Sequence, residues 1–155
     1  MTLPLSQETK ESRGLTMRIM AIDYGDAHTG IAISDPTGFL AGYTTVIDGY
    51  RPEAVAERIR ALATEHGVEE LVLGYPKNMD GTLGPRAEKA EAMKALLEQV
   101  TGLPVALWDE RRTTIDAHQI LMTGGKNAKK RKKVVDAVAA SLILEGYLTF
   151  KKSRG

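Results

Sequence analysis

Apolar residues along the chain fall first into short runs and then into helical stripes, and their order predicts a mixed sheet. Arg18–Asp23 is one apolar run and Gly30–Ser34 a second, and the polar stretch Tyr24-Gly25-Asp26-Ala27-His28-Thr29 between them suits a hairpin turn. Asp35-Pro36-Thr37-Gly38 is a turn signature, so the β-rich segment Phe39–Ile47 completes an antiparallel meander. Behind Pro52, the residues Val55, Ile59, Leu62 and His66 recur at helical spacing, and Gly67 marks the stop. Glu70–Gly74 reads as a fourth strand. A second helix begins at Pro85, aligns Ala90, Met93, Leu97 and Val100 on one face, and ends at Gly102. Pro104–Trp108 is a fifth strand, and Thr113-Thr114-Ile115-Asp116 resembles the start of a short helix that gives out at Gly124-Gly125. The last helix is expected from about Lys133 to about Phe150.

Three antiparallel strands followed by alternating helices and strands imply an α/β fold. Its five-stranded sheet is mixed, the later strands are parallel, and helices cover both faces. The 155 residues suffice for one core. One domain is expected over residues 17–150, with a flexible N-terminal extension at 1–16, a natural start to the fold at Met17, and a basic tail at 151–155.

Composition removes several classes of function. There is no cysteine, which excludes disulfides and thiolate metal sites, and His28, His66 and His118 lack the paired spacing of a zinc site. No stretch approaches the roughly 20 apolar residues of a membrane span, and the first residues lack an apolar core followed by a cleavage site. A cytoplasmic protein with no membrane partner is expected. The net charge of +1 hides an asymmetry: Arg111–Lys133 holds eight Lys and Arg against one acid, Asp116, so this segment carries +7 and the remainder −6. Such a basic concentration is a candidate footprint for nucleic acid.

Three acids stand where a carboxylate is costly. Asp23 ends the run Ile19-Met20-Ala21-Ile22, Glu110 follows the run Val105-Ala106-Leu107-Trp108, and Asp136 interrupts Val134-Val135-Ala137-Val138. An acid at a strand end often marks only the exit to solvent, and one acid on a helix usually lies on its wet face. Together the three ask for a compensating charge, and a hard divalent cation takes carboxylate oxygens. Ligands in such sheets gather at the carboxyl ends of the strands, where Asp23 and Glu110 lie. Neighbouring side chains of an extended backbone diverge, so only one of Asp109 and Glu110 points into a cleft. Glu110 is favoured and Asp109 remains open.

The surrounding segments suit phosphates. The loop Gly74–Pro85, with Asn78 and Thr82, links a strand to a helix whose N-terminus can hold an anion. It is neither a Walker loop nor a dinucleotide fingerprint. Arg111 and Arg112 offer guanidinium groups, and Lys126, Lys129, Lys130, Arg131, Lys132 and Lys133 crowd a loop expected over Gly124–Lys133, a few residues before Asp136. Aromatic interleaving is absent there, so that loop would contact phosphates rather than stack on bases.

Four ordered motifs resemble the bacterial YqgF (RuvX) family. They are Ile22-Asp23-Tyr24-Gly25 with Gly30-Ile31-Ala32-Ile33-Ser34-Asp35; Gly74-Tyr75-Pro76 with Asn78-Met79-Asp80-Gly81-Thr82 and Gly84-Pro85; Asp109-Glu110-Arg111 with Thr113-Thr114; and Lys132-Lys133-Val134-Val135-Asp136 with Ala139-Ala140 and Leu142-Ile143-Leu144. The resemblance spans residues 17–150. It implies a ribonuclease H-like fold and a metal-dependent nuclease, described in the family as a Holliday-junction resolvase and as a nuclease for the ends of pre-16S ribosomal RNA. It also implies Asp23, Glu110 and Asp136 as catalytic and metal-binding acids, Mg2+ or Mn2+ as cofactor, and RNA or branched DNA as partner. A homodimer is left open. The chain departs from the family pattern at Ala27-His28, where a Lys-Arg pair is usual, and at Tyr75, where Leu is usual. Two other readings compete: an inert RNA-binding module of the same fold, and an actin-like ATP phosphotransferase, which needs two lobes and a longer chain.

Overall fold

The computed structural model describes residues 17–35, 41–76, 80–110 and 128–154. Strands β1 (Ile19–Asp23), β2 (His28–Ser34) and β3 (Ala41–Asp48) are followed by helix α1 (Pro52–His66), β4 (Glu70–Tyr75), α2 (Pro85–Thr101), β5 (Val105–Asp109) and α3 (Ala128–Arg154). The sheet runs β3-β2-β1-β4-β5. β1 pairs antiparallel with β2, which pairs antiparallel with β3, while β4 lies parallel to both β1 and β5. The expected mixed sheet is present.

Both faces are covered because the strands are apolar on both sides. Met20, Ile22, Ile31, Ile33, Leu71 and Leu73 pack under α1 and α2 with Ile59, Met93 and Leu97. Ile19, Ala21, Ala32, Val72 and Trp108 face α3, where Ala140, Ile143, Leu144 and Tyr147 meet them. Each large aliphatic chain buried in this way stabilises the fold by about 1.5–3 kcal/mol. Gly67 and Gly102 end α1 and α2 with φ of 66° and 71°, and their backbone N–H groups cap the last turns. That left-handed backbone favours glycine.

The last helix corrects the expectation. It begins at Ala128, not near Lys133, so the basic residues from Lys129 to Lys133 belong to its first turns rather than to a loop. Gly124-Gly125 and the density of like charge suggest a loop, but Ala, Lys and Arg are among the best helix formers. The helix also continues beyond Phe150 to Arg154. Its far end is anchored: Lys151 Nζ donates to Glu70 Oε1 at 2.6 Å and the Tyr147 hydroxyl donates to Glu70 Oε2. The short helix expected at 113–124 lies outside the described residues.

α3 comes unusually close to the sheet at Gly30. A Cβ on Gly30 would lie 2.0 Å from the carbonyl oxygen of Asp136 and 3.4 Å from the backbone nitrogen of Ala137. The obstacle is backbone, which cannot rotate aside. Gly30→Ala should therefore push α3 from the sheet and lower the unfolding free energy by about 3 kcal/mol, measured by urea denaturation. An unchanged midpoint would show that the helix does not depend on this close approach.

Candidate active site

Strand alternation sorts the acids before any contact is considered. Ile19 and Ala21 face α3 while Met20 and Ile22 face α1 and α2, so Asp23, at the end of β1, shares the α3 face. On β5, Trp108 packs against α3. Two residues further, Glu110 therefore falls on the face of Asp23, and Asp109 on the opposite one.

Glu110 reaches Asp23 across β4, the strand that separates β5 from β1. It passes over Gly74, where a Cβ would lie 3.1 Å from Glu110 Cδ and 3.3 Å from its Cγ. On the other flank, Gly30 is the register partner of Asp23 on β2, and over it lies the backbone of Asp136. Asp136 Oδ2 is buried, and its carboxylate acts electrostatically on Asp23. Two glycines thus leave hollows on either side of Asp23, one crossed by Glu110 and the other filled by α3.

The proximity of these acids is visible in their acidities. Burial pushes the Glu110 carboxyl up to about 7, with the negative charge of Asp23 adding to the effect. Asp23 is also raised, by burial first and by Asp136 second. A hydrogen bond joins Asp23 and Glu110; it favours the charged form of Asp23 and the protonated form of Glu110. Glu110 is accordingly the donor and Asp23 the acceptor. Arg86 opposes both shifts through its positive charge.

Arg86 is an exposed residue in the first turn of α2, immediately after Pro85. The sequence motifs single out the Gly74–Pro85 loop but not this residue. One signal was available: a cation at the positive end of a helix dipole is unfavourable by roughly 0.3–1 kcal/mol, so its presence there suggests nearby negative charge.

The remaining expected residues divide into three groups. Thr82 is described, and both its backbone N–H and its hydroxyl donate to Asp80 Oδ1, at 3.0 and 2.6 Å, closing the loop before α2. Lys129, Lys130, Arg131, Lys132 and Lys133 lie on the first turns of α3, one to two turns before Asp136. Asn78, Arg111, Arg112 and Lys126 lie outside the described residues. At the positions that depart from the family pattern, His28 Nδ1 pairs with Asp48 Oδ1 at 2.7 Å, the Ala27 carbonyl accepts from Gly49, and the Tyr75 hydroxyl donates to Glu91 at 3.0 Å. Among the described residues, no three His, Asp or Glu side chains are gathered into a closed ligand set. The acids meet as a hydrogen-bonded pair with Asp136 beside it.

A family model described as RuvX, Holliday junction resolvase, matches residues 17–150. The chain belongs to the RuvX family. A Halothermothrix orenii protein named "Putative pre-16S rRNA nuclease" is 47% identical over 135 residues, covering 87% of this chain and 96% of the relative. A Geobacillus thermodenitrificans protein with the same name is 46% identical over 138 residues, covering 88% and 100%. Among solved structures, Thermus thermophilus RuvC in complex with a Holliday junction substrate superposes with a TM-score of 0.59 at 14% identity, over 88% of this chain and 96% of that one. That likeness shows the fold, the ribonuclease H-like arrangement of RuvC. RuvX membership and the named relatives identify a nuclease, a hydrolase of phosphodiester bonds.

The raised Glu110 predicts an acid-favoured fold when no cation is present. Its folded pKa of about 7 exceeds the ordinary 4.5, so the folded state binds the proton more tightly than the unfolded one. Stability is full below about 4.5 and is lost as pH rises through about 7. In chelator, the melting temperature should fall between about pH 5 and about pH 8, and Glu110→Gln should flatten that slope. Equal slopes for parent and variant would remove Glu110 as the titrating group.

Proposed function

We propose that Asp23, Glu110 and Asp136 form the catalytic centre of a divalent-metal-dependent nuclease, with Mg2+ or Mn2+ as cofactor. The observation that supports this is their convergence on one side of the sheet from β1, the end of β5 and α3, where burial first and neighbouring negative charge second raise the pKa of Asp23 and of Glu110. The donor set fits a hard cation, because all three groups offer carboxylate oxygens. The proton shared by Asp23 and Glu110 sits where a cation would relieve the same repulsion, and cation binding would displace it. When bound, the metal supplies the positive charge that stabilises the attacking and departing oxygens of an in-line phosphodiester displacement.

The chain's own groups supply the rest. Arg86 offers a guanidinium that can pair with phosphate oxygens at the edge of the acids. The Lys129–Lys133 turns of α3, with Arg111, Lys126, Asn78 and Thr82, position the nucleic-acid backbone. Like charges at the start of a helix repel one another and oppose its dipole. Phosphates there would relieve both. The substrate in this reading is RNA at the ends of pre-16S ribosomal RNA, acted on in the cytoplasm, with branched DNA as the second candidate. The RuvX family description and the relatives' names support the two substrates. Cleavage of labelled precursor RNA and of a four-way DNA junction, side by side with manganese and with chelator, decides between them.

Asp23→Asn preserves volume and removes a ligand charge, so cleavage should fall by at least about 100-fold with the fold intact. Cleavage at the parent rate would overturn the assignment. Manganese at millimolar concentration should raise the parent's melting temperature and raise that of Asp136→Asn less; no shift in the parent would argue against a metal centre. Replacing Lys129, Lys130, Arg131 and Lys132 with Gln keeps helix propensity. It should weaken binding of all sequences alike and flatten the salt dependence by about 0.7–0.9 for each phosphate that is no longer neutralised. Unchanged affinity and slope would make this turn a solvated surface.

A further inference from the structure

The α1–α2 side of the sheet carries a cavity of about 590 Å³ that the acids do not use. It lies at the carboxyl edge of β1, and Tyr24, the residue after Asp23, lines it. Tyr24 packs against the α1–α2 core, so Tyr24 and Asp23 leave the same strand end on opposite faces. Met93 and Leu96 of α2 give the cavity an apolar wall. Tyr50, in the link between β3 and α1, also lines it and is 78% exposed. An aromatic ring so exposed beside a cavity presents a face on which a planar group could stack.

The polar groups narrow the choice of occupant. The lining contains two carboxylates, Asp26 and Glu53, against one ammonium, Lys89, which pairs with Asp26 at 3.0 Å. This balance disfavours a phosphate. A flat, uncharged ring suits the tyrosines and the apolar wall, and ring-borne amino groups suit the carboxylate acceptors. A nucleobase has both properties.

We propose that this cavity receives one unpaired nucleobase of the strand being cut, stacked on Tyr50, while the backbone crosses the end of β1 toward Asp23. The inference rests on the nuclease reading of the acids. It implies that the substrate presents an unpaired base close to the cut phosphate, because Asp23 and Tyr24, adjacent residues of one strand end, would contact both.

The test uses a short labelled single-stranded RNA and a series in which each position in turn is abasic. Anisotropy in chelator gives affinity without cleavage, and manganese then locates the cut. For the parent, one abasic position near the cut should weaken binding by roughly 5- to 150-fold, the range expected when one stacked base is removed. Tyr50→Ala should weaken the intact strand by a similar factor and become indifferent to that abasic position. Tyr50→Phe, which keeps the ring, should behave as the parent. If Tyr50→Ala binds intact RNA as the parent does, or if both proteins respond alike to every abasic position, the cavity takes no base. A failed nuclease reading looks different: no strand would be cut with manganese, while the affinity ratios would still decide whether Tyr50 holds a base.

Discussion

The arrangement depends on the absence of two side chains. Gly30 and Gly74 lie on the strands that flank β1, on the face that carries Asp23. One lets the α3 backbone settle against the sheet and the other lets Glu110 cross β4. A methyl group at either position would collide with what now lies there. Close packing turns a small deletion of volume into an electrostatic consequence, since carboxylates that should repel are held within reach of each other. The opposing interactions are distributed widely: the second core beneath α3, the anchor of Tyr147 and Lys151 on Glu70, and the charge of Arg86.

Much of the fold was legible because the strands are short apolar runs bounded by strong turn signals, and because Pro52, Gly67, Pro85 and Gly102 mark helix ends by conformational constraint. The start of α3 was not. There, Gly124-Gly125 and five basic residues point to a loop, while intrinsic helix propensity points the other way and prevails from Ala128. The acids could be found from the cost of their apolar surroundings. Choosing Glu110 over Asp109 needed the face on which Trp108 packs, which depends on tertiary structure. Gly30 and Gly74 carried no local sign of their role, since it arises from cross-strand register. Arg86 carried only the weak sign of a cation at the wrong end of a helix.

The two faces of the sheet divide the work differently. The α1–α2 face is built from large aliphatic chains and holds the sheet together from Ile59 to Leu97. On the α3 face the strands contribute small residues, Ala21, Gly30, Ala32 and Gly74, near the acids, so the helix rides close to the backbone. The same smallness that admits the helix denies that region the cushioning of long side chains, and shifts of α3 are transmitted directly to Asp136.

α3 is one continuous helix of 27 residues, about 40 Å long, with its far end fastened to β4. Asp136 and the basic turns share this rigid rod, so the spacing between them is fixed by helical rise. Lys129 to Lys133 precede Asp136 by about 4–10 Å along the axis. Successive phosphates of one strand in a duplex advance by about 3.4 Å. Under the proposed function the helix would therefore act as a ruler, setting at about one to three phosphates the distance between where a strand is gripped and where it meets the acids.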